Sequence, residues 1–301
     1  MTTHSDAPRA IQRIAARSAE IGGGIPVNRL LPTRERRMIG AWCFLDHAGP
    51  AGFAPGGGME VGAHPHIGLQ TFTWMIQGEV LHRDSLGHEQ VIRPGQVNLM
   101  TAGRGIAHTE ASLAGETRLH AAQLWIALPD AVRDCAPAFD HHPELPGWDE
   151  AGCRFTLLAG NHAGRVAPTR LHSPLLGLDL HMPGGGAVEV PLDPGFEYGV
   201  SVLDGALTLG GERFTINELA FLGSGLARAT LHFDPGTRAL LLGGTPFGEE
   251  ILMWWNFVGR SKDEIGQATR DWESGSARFG PVAGPAERRL TAPALPWLRA
   301  N

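Results

Sequence analysis

The chain has 301 residues, and its 25 basic and 31 acidic side chains give a formal net charge of −6 at pH 7. The basic residues form no long cluster, which argues against direct binding to nucleic acid. No apolar run reaches the roughly 18 residues that a membrane-spanning helix needs. We therefore expect a soluble globular protein that contacts neither nucleic acid nor membrane directly.

Glycine and proline set the expected fold class. The chain contains 41 glycines and 22 prolines, spread along its length. Such a distribution is typical of many short strands joined by turns, and it predicts an all-β protein. A chain of this length can bury two sizeable cores, so two domains or one large barrel are expected.

The three cysteines, Cys43, Cys135 and Cys153, are odd in number and widely spaced. No charged-then-apolar signal pattern precedes them. We interpret them as free thiols, packed as small apolar groups, in a protein of the reducing cytoplasm.

The first elements in chain order are strands. Residues 1–24 carry arginines at a spacing of four, which fits an amphipathic helix, but a first strand or a frayed arm is favoured because short isolated helices are marginally stable. The apolar residues 38–47 predict a buried strand. From residue 62 to 126, strand patterns alternate with turns such as Gln77-Gly78 and Arg93-Pro94-Gly95, as in a small barrel.

A second block echoes the first. Aligning Gly78 with Gly205 places residues 73–78 beside residues 200–205, and residues 99–103 then fall beside residues 221–225. A duplicated barrel is therefore predicted. After it, Ser261-Lys262-Asp263-Glu264 forms a capping-box pattern that opens a helix of about ten to fourteen residues. The final stretch predicts an irregular surface segment, with Trp297 as its anchor.

Two short motifs carry the chemistry. His64-Pro65-His66 and His108-Thr109-Glu110 each place two ligand-type side chains at i and i+2, on one face of a strand. A lone pair of this kind is more often an ordinary strand feature. Two pairs, with barrel-type strands between them, predict that three imidazoles and one carboxylate meet at one divalent metal. Because proline removes a ladder donor, the first pair is expected at a sheet edge or barrel rim.

In the aligned second block the four ligands are replaced, so only the N-terminal barrel is expected to hold metal; the replacements are Pro191, Asp193, Thr230 and His232. Other candidates are weaker. His82, Asp84 and His88 lie in a polar hairpin and are interpreted as solvated. His141 and His142 are interpreted as surface residues.

Residues 64–71, 101–110 and 44–50, together with residues 243–249 and 255–258, resemble the pirin family of the cupin superfamily. The likeness covers most of the chain. It implies a bicupin, in which two jelly-roll-like β-barrels pack face to face and a short C-terminal helix follows. The expected division is a metal-binding barrel over residues 1–130 and a second barrel, with the helix and tail, over residues 131–301.

The resemblance also implies one mononuclear metal, usually Fe²⁺, held by His64, His66, His108 and Glu110; Zn, Ni, Mn, Co or Cu are alternatives. General cupins carry a glutamate where this chain has Gln70. In pirin-like proteins the carboxylate comes from the second motif, so Gln70 is assigned to the surroundings of the ligands. Asp46 and His47 could support the ligands as well, or form a turn.

Two functions remain open in the sequence. Some bacterial pirins resemble quercetin 2,3-dioxygenases, which open the ring of a flavonol with dioxygen and release carbon monoxide; Glu110 would then also be the catalytic base. The alternative is a redox-sensing binding protein that modulates a transcription factor or a metabolic enzyme. A deep apolar pocket over the metal would favour the enzyme. A closed site beside an exposed face bearing Arg104 and Arg118 would favour the protein partner.

Overall fold

The computed structural model describes residues 11–21, 25–54, 57–283 and 289–297. The first twelve strands in chain order are β1 (Gln12–Ala15), β2 (Arg17–Ile21), β3 (Ile25–Leu31), β4 (Trp42–Gly52), β5 (Glu60–His66), β6 (Leu69–Gln77), β7 (Val80–Asp84), β8 (Glu89–Ile92), β9 (Val97–Thr101), β10 (Ile106–Ser112), β11 (Arg118–Ala127) and β12 (Ala138–His142). A single 3₁₀ turn over Asp130–Val132 precedes β12.

The remaining elements are β13 (Gly147–Glu150), β14 (Cys153–Ala159), β15 (Asn161–His162), β16 (Arg165–Val166), β17 (Leu175–Met182), β18 (Gly186–Pro191), β19 (Glu197–Asp204), β20 (Ala206–Leu209), β21 (Glu212–Thr215), β22 (Glu218–Ser224), β23 (Arg228–Phe233), β24 (Thr237–Gly244), β25 (Leu252–Trp254), β26 (Phe257–Gly259) and helix α1 (Lys262–Glu273). The prediction of an all-β protein with one C-terminal helix is confirmed. No helix in the described ranges has the length and apolar character to cross a bilayer.

The N-terminal barrel consists of two antiparallel sheets. The larger sheet has the strand order β12-β9-β6-β11-β4-β3-β2, and the smaller has β5-β10-β7-β8. Side chains from both sheets fill the space between them, including Val27, Met75, Val80 and Leu119, each at most 2% exposed. Central strands such as β6 and β9 are buried at nearly every position, whereas β7 alternates buried and partly buried side chains.

The C-terminal barrel repeats this architecture. Its larger sheet has the order β1-β22-β19-β24-β17-β14-β13 and its smaller sheet β18-β23-β20-β21, which matches the N-terminal barrel strand for strand. Its own core includes Phe155, Leu178, Tyr198 and Phe214, none more than 1% exposed. The structure therefore bears out the internal duplication that the aligned glycines indicate.

The described residues divide into two compact units that are not contiguous in sequence. One unit draws on the described residues of segments 11–17, 30–41 and 145–247, and the other on those of 18–21, 25–29, 42–54, 57–144, 248–283 and 289–297. This division differs from the expected one, in which the first barrel ends at residue 130 and the helix belongs to the second barrel. The reason is the pairing of β1 with β22, which takes the first strand to the C-terminal barrel, whereas α1 lies in the unit of the N-terminal barrel.

The start and the end of the chain follow the sequence prediction where they are described. Residues 11–21 form β1 and β2, not a helix, while residues 1–10 and 22–24 lie outside the described ranges. Ser261 caps α1 by accepting a hydrogen bond from the Glu264 backbone N–H at 3.2 Å. Trp297 anchors the final segment by packing edge-on against Trp254, with 5.9 Å between ring centroids.

Candidate metal centre

Two neighbouring strands carry the histidines of the predicted site. Strands β5 and β10 pair antiparallel, and the register places His64 directly opposite His108. Since side chains at i and i+2 share a face, His66 joins them on the same side of the small sheet. Strand β5 is the end strand in the order of that sheet, which confirms the edge position expected for Pro65.

The three imidazoles converge in the barrel interior. His64, His66 and His108 are 7%, 1% and 2% exposed, and one nitrogen from each lies within 4.8 Å of the others. The Nε2 atoms of His66 and His108 are 3.1 Å apart. Among the described residues this is the one group of three or more histidine, cysteine or acidic side chains with the geometry to hold a metal ion.

Hydrogen bonds fix which ring nitrogen is available. The Nδ1–H of His64 donates to the Gly62 carbonyl at 2.9 Å, and that of His66 donates to the Asn256 carbonyl at 3.1 Å. A carbonyl oxygen only accepts, so both Nδ1 atoms carry the proton and both Nε2 atoms keep a lone pair. Partners of this kind are typical of histidines that bind metals.

Burial also favours the neutral, ligating form of the rings. Desolvation lowers the pKa of His64 to about 4 and lowers the pKa values of His66 and His108 well below the usual range. Neutral imidazoles with converging Nε2 atoms are the donor set of a divalent transition metal. The residues present therefore fit the metal that the sequence implies.

Glu110 lies beside this cluster but not within it. It follows His108 by two residues on β10 and lines the same cavity, and burial raises the pKa of its carboxyl. The tight group of converging ligand atoms contains only the three histidines. The register between β10 and β5 shifts between His108 and Glu110. At such a bulge, side chains two residues apart depart from the regular alternation and point in different directions. The role of Glu110 as the fourth ligand stays a prediction.

His82 and Asp84 have functional positions that the sequence analysis missed. They are 3% and 2% exposed, so their interpretation as solvated hairpin residues is wrong. Strand β7 pairs with β10, which brings Nδ1 of His82 to 3.3 Å from Nδ1 of His108. Asp84 accepts from Nε2 of His82 at 3.2 Å and from Nδ1 of the half-exposed His88 at 2.9 Å. The sequence signal for these positions was the i, i+2 spacing of His82 and Asp84, which places both side chains on one face of a strand.

Three other candidates have defined contacts. Asp46 lies in β4, not in a turn, and accepts two hydrogen bonds from Arg29 at 2.7 Å. His47, the next residue, is buried against His120, with 2.8 Å between their Nε2 atoms. Buried Gln70 donates to the hydroxyl of Thr101 at 2.9 Å.

The aligned positions of the second barrel show no equivalent site. Pro191, Asp193, Thr230 and His232 are all exposed to solvent. The metal-type cluster found in the described residues comes from the N-terminal barrel alone. That only one barrel holds a metal stays a prediction.

The histidines open into a cavity of about 440 Å³. Its wall includes Phe44 and Trp125, which stack with 4.1 Å between centroids, and Trp125 also packs edge-on against His66. Two of its lining residues, Glu20 and Leu290, are exposed to solvent. The polar lining residues besides the histidines are Glu20, Arg29, Asp46, Thr71, Thr73, Glu110, Gln123 and Asn256.

The two β-barrels share one strand order, and one of them gathers three neutral histidines at a cavity. These features define a bicupin with one candidate metal centre in the described residues. Sequence models of the family agree: the pirin model matches residues 24–126, and the model of the pirin C-terminal cupin domain matches residues 177–280. The chain belongs to the pirin family.

Individual relatives are similar over nearly the whole length. A Pseudomonas aeruginosa protein named "Putative quercetin 2,3-dioxygenase" is 67% identical over 287 residues, covering 95% of this chain and 91% of the relative. A pirin-like protein of Caulobacter vibrioides is 36% identical, covering 85% of this chain and 91% of the relative. The crystal structure of a quercetin 2,3-dioxygenase from Acinetobacter baumannii superposes with a TM-score of 0.93 at 50% identity, covering 95% and 96% of the two chains.

Proposed function

We propose that this chain is a metal-dependent dioxygenase that acts on quercetin or a similar flavonol. The observation that carries the proposal is the histidine cluster at the base of a cavity with aromatic walls. A cavity of about 440 Å³ lies within the range of small-molecule sites. The names of the 67% identical relative and of the 50% identical crystal structure support the same reaction.

We propose Fe²⁺ as the metal in the cell. His64, His66, His108 and Glu110 would hold it, and three imidazoles with one carboxylate leave coordination positions open, as in related non-haem iron sites. A bound divalent metal would lower the pKa of the flavonol hydroxyl and activate the substrate towards dioxygen.

The protein's own residues would orient and deprotonate the substrate. Trp125, which stacks on Phe44, contributes an aromatic wall to the cavity, and the Arg29 guanidinium lies over the Phe44 ring. Glu110 lines the cavity two residues from His108, where its carboxylate could take the hydroxyl proton as general base. We also place the protein in the cytoplasm, because Cys43, Cys135 and Cys153 carry free thiols.

The alternative, a redox-sensing protein that binds a macromolecular partner, is not favoured. That reading expects a closed site, whereas the exposed residues Glu20 and Leu290 belong to the lining of the cavity beside the histidines. Arg104 and Arg118 are exposed, which either function allows.

The proposed reaction is tested by oxygen uptake and loss of flavonol absorbance with the iron-loaded protein. We expect turnover that exceeds that of free iron at equal concentration and is lost in His66→Ala. Turnover no faster than free iron would contradict the proposed function.

A further inference from the structure

A bulky residue occupies a strained turn beside the metal centre. Strands β25 and β26 form a hairpin in which Trp254 pairs with Phe257, so Trp255 and Asn256 are its two turn residues. Trp255 has φ of +52°, in the left-handed region that such turns normally fill with glycine or asparagine. The other non-glycine residues with positive φ in the described ranges are Ala151, Ala163 and Asn217. Alanine is small, and asparagine tolerates the left-handed conformation.

The surroundings of Trp255 suggest what offsets the energetic cost of its positive φ. Trp255 lines the same cavity as the histidines and is partly buried. The indole packs edge-on against Phe257, with 5.5 Å between centroids and an interplanar angle of 88°. Phe257 is fully buried in a cluster with Ile265 and Phe279, so the indole rests on a rigid base.

The same turn is tied to the metal centre. The Asn256 carbonyl, one residue along, accepts the hydrogen bond from Nδ1 of His66 at 3.1 Å. That bond sets the orientation of the His66 ring. It also fixes the turn, and with it Trp255, relative to the cluster of Nε2 atoms. Backbone strain in a non-glycine residue is retained where the surrounding structure and the function require it.

We propose that Trp255 is a substrate-positioning residue, whose indole packs against the aromatic system of a flavonol held over the metal. The proposal rests on the proposed function and adds to it a specific contact from outside the two histidine motifs. It explains why a glycine-type position carries the largest side chain. The backbone carbonyl of Asn256 orients His66 whatever side chain precedes it, so replacing Trp255 separates substrate contact from metal binding.

The test measures quercetin binding by isothermal titration calorimetry, on metal-loaded protein without oxygen so that no turnover occurs. The variants are Trp255→Gly, which suits the turn but lacks the ring, and Trp255→Phe, which keeps an aromatic ring. Ala151→Gly is the matched control, because Ala151 has φ of +49° in an exposed two-residue turn of the other unit. Metal content is measured on every sample.

We expect Trp255→Gly to bind quercetin about tenfold more weakly, Trp255→Phe to stay within about threefold of wild type, and Ala151→Gly to match it. All are expected to keep the same metal content. Should Trp255→Gly fail to fold, Trp255→Asn provides the same comparison, since asparagine tolerates this conformation.

Wild-type affinity in Trp255→Gly would overturn the inference and leave the proposed function intact. So would loss of metal in proportion to the loss of binding, because the turn would then act only through His66. If the wild type itself bound no quercetin, the proposed function would be contradicted along with the inference.

Discussion

The Nε2 atoms of His66 and His108 lie 3.1 Å apart in the interior of the N-terminal barrel. The Nδ1–H of His66 is committed to the Asn256 carbonyl, so its Nε2 presents a lone pair. Without a metal, Nε2–H of His108 can donate to that lone pair; with the His108 proton on Nδ1, both Nε2 atoms offer lone pairs to a cation. The convergence of these two nitrogens with His64 is the physical basis for proposing a divalent metal here.

The first prediction concerns His82, which contacts His108, a proposed metal ligand, through their Nδ1 atoms. Replacing it in His82→Gln removes the ring whose Nδ1 lies 3.3 Å from Nδ1 of His108. Loss of such a supporting partner typically lowers metal affinity about 10- to 100-fold. Competition with a chelator of known affinity would measure the change. An affinity equal to that of the wild type would show that His82 does not orient His108.

A second prediction concerns the pH dependence of stability through Asp84. Burial raises its pKa, but hydrogen bonds from His82 and His88 outweigh burial and leave the pKa below the ordinary value of 3.8. A carboxyl with a depressed folded-state pKa contributes stability above its unfolded pKa, and loses it as the pH falls through the folded value.

We therefore expect Asp84→Asn to be less stable than wild type at pH 7 by about 1–3 kcal/mol. The difference should begin to shrink as the pH falls below about 4, where the unfolded carboxyl protonates, and should disappear only below the depressed folded-state pKa. Urea unfolding of the metal-free proteins across this range is the measurement. A stability difference that is constant from pH 7 to 3 would count against the charge of Asp84 as its cause.

The third prediction addresses the pair formed by Arg29 and Asp46 at the cavity wall. The Asp46 carboxylate is 2% exposed and accepts two hydrogen bonds from Arg29, whose side chain is 24% exposed. Removing one member of a buried ion pair leaves the other charge buried without that partner. Arg29→Met should therefore lower the free energy of unfolding by about 3 kcal/mol.

The double variant Arg29→Met/Asp46→Asn should recover part of that loss, because a neutral amide replaces the buried carboxylate that has lost Arg29. Urea unfolding of the four proteins forms the double-mutant cycle. Strictly additive effects would mean that the two side chains contribute independently.

The fourth prediction separates the two barrels. His232 occupies the position aligned with Glu110 but is exposed on β23. His232→Ala should leave metal content unchanged, because its barrel gathers no ligand cluster in the described part of the chain. Elemental analysis measures this directly, and a loss of metal would place a second site in the C-terminal barrel.

The sequence was sufficient to predict the three histidines because their placement depends on local geometry. An i, i+2 pair on a strand shares one face, and turn residues mark where the strands begin and end. The duplication was likewise visible, since Gly78 and Gly205 occupy corresponding turns with positive φ. The pairing of β5 with β10, which brings the two motifs together, is a separate feature that neither motif shows by itself.

Other features depend on strand pairing that no local pattern encodes. His82 supports His108 only because β7 pairs with β10, and β1 joins the C-terminal barrel only because it pairs with β22. The bulge between His108 and Glu110 is equally invisible in the spacing of the motif. Trp255 lies where local preference favours glycine or asparagine, so its turn conformation is set by its surroundings.

The central claim is that these histidines and Glu110 hold one metal, and its most direct test is elemental analysis of the purified wild type, His66→Ala and Glu110→Ala. The account predicts about one divalent metal per wild-type chain and its loss from both variants. Stoichiometric metal in both variants would contradict it.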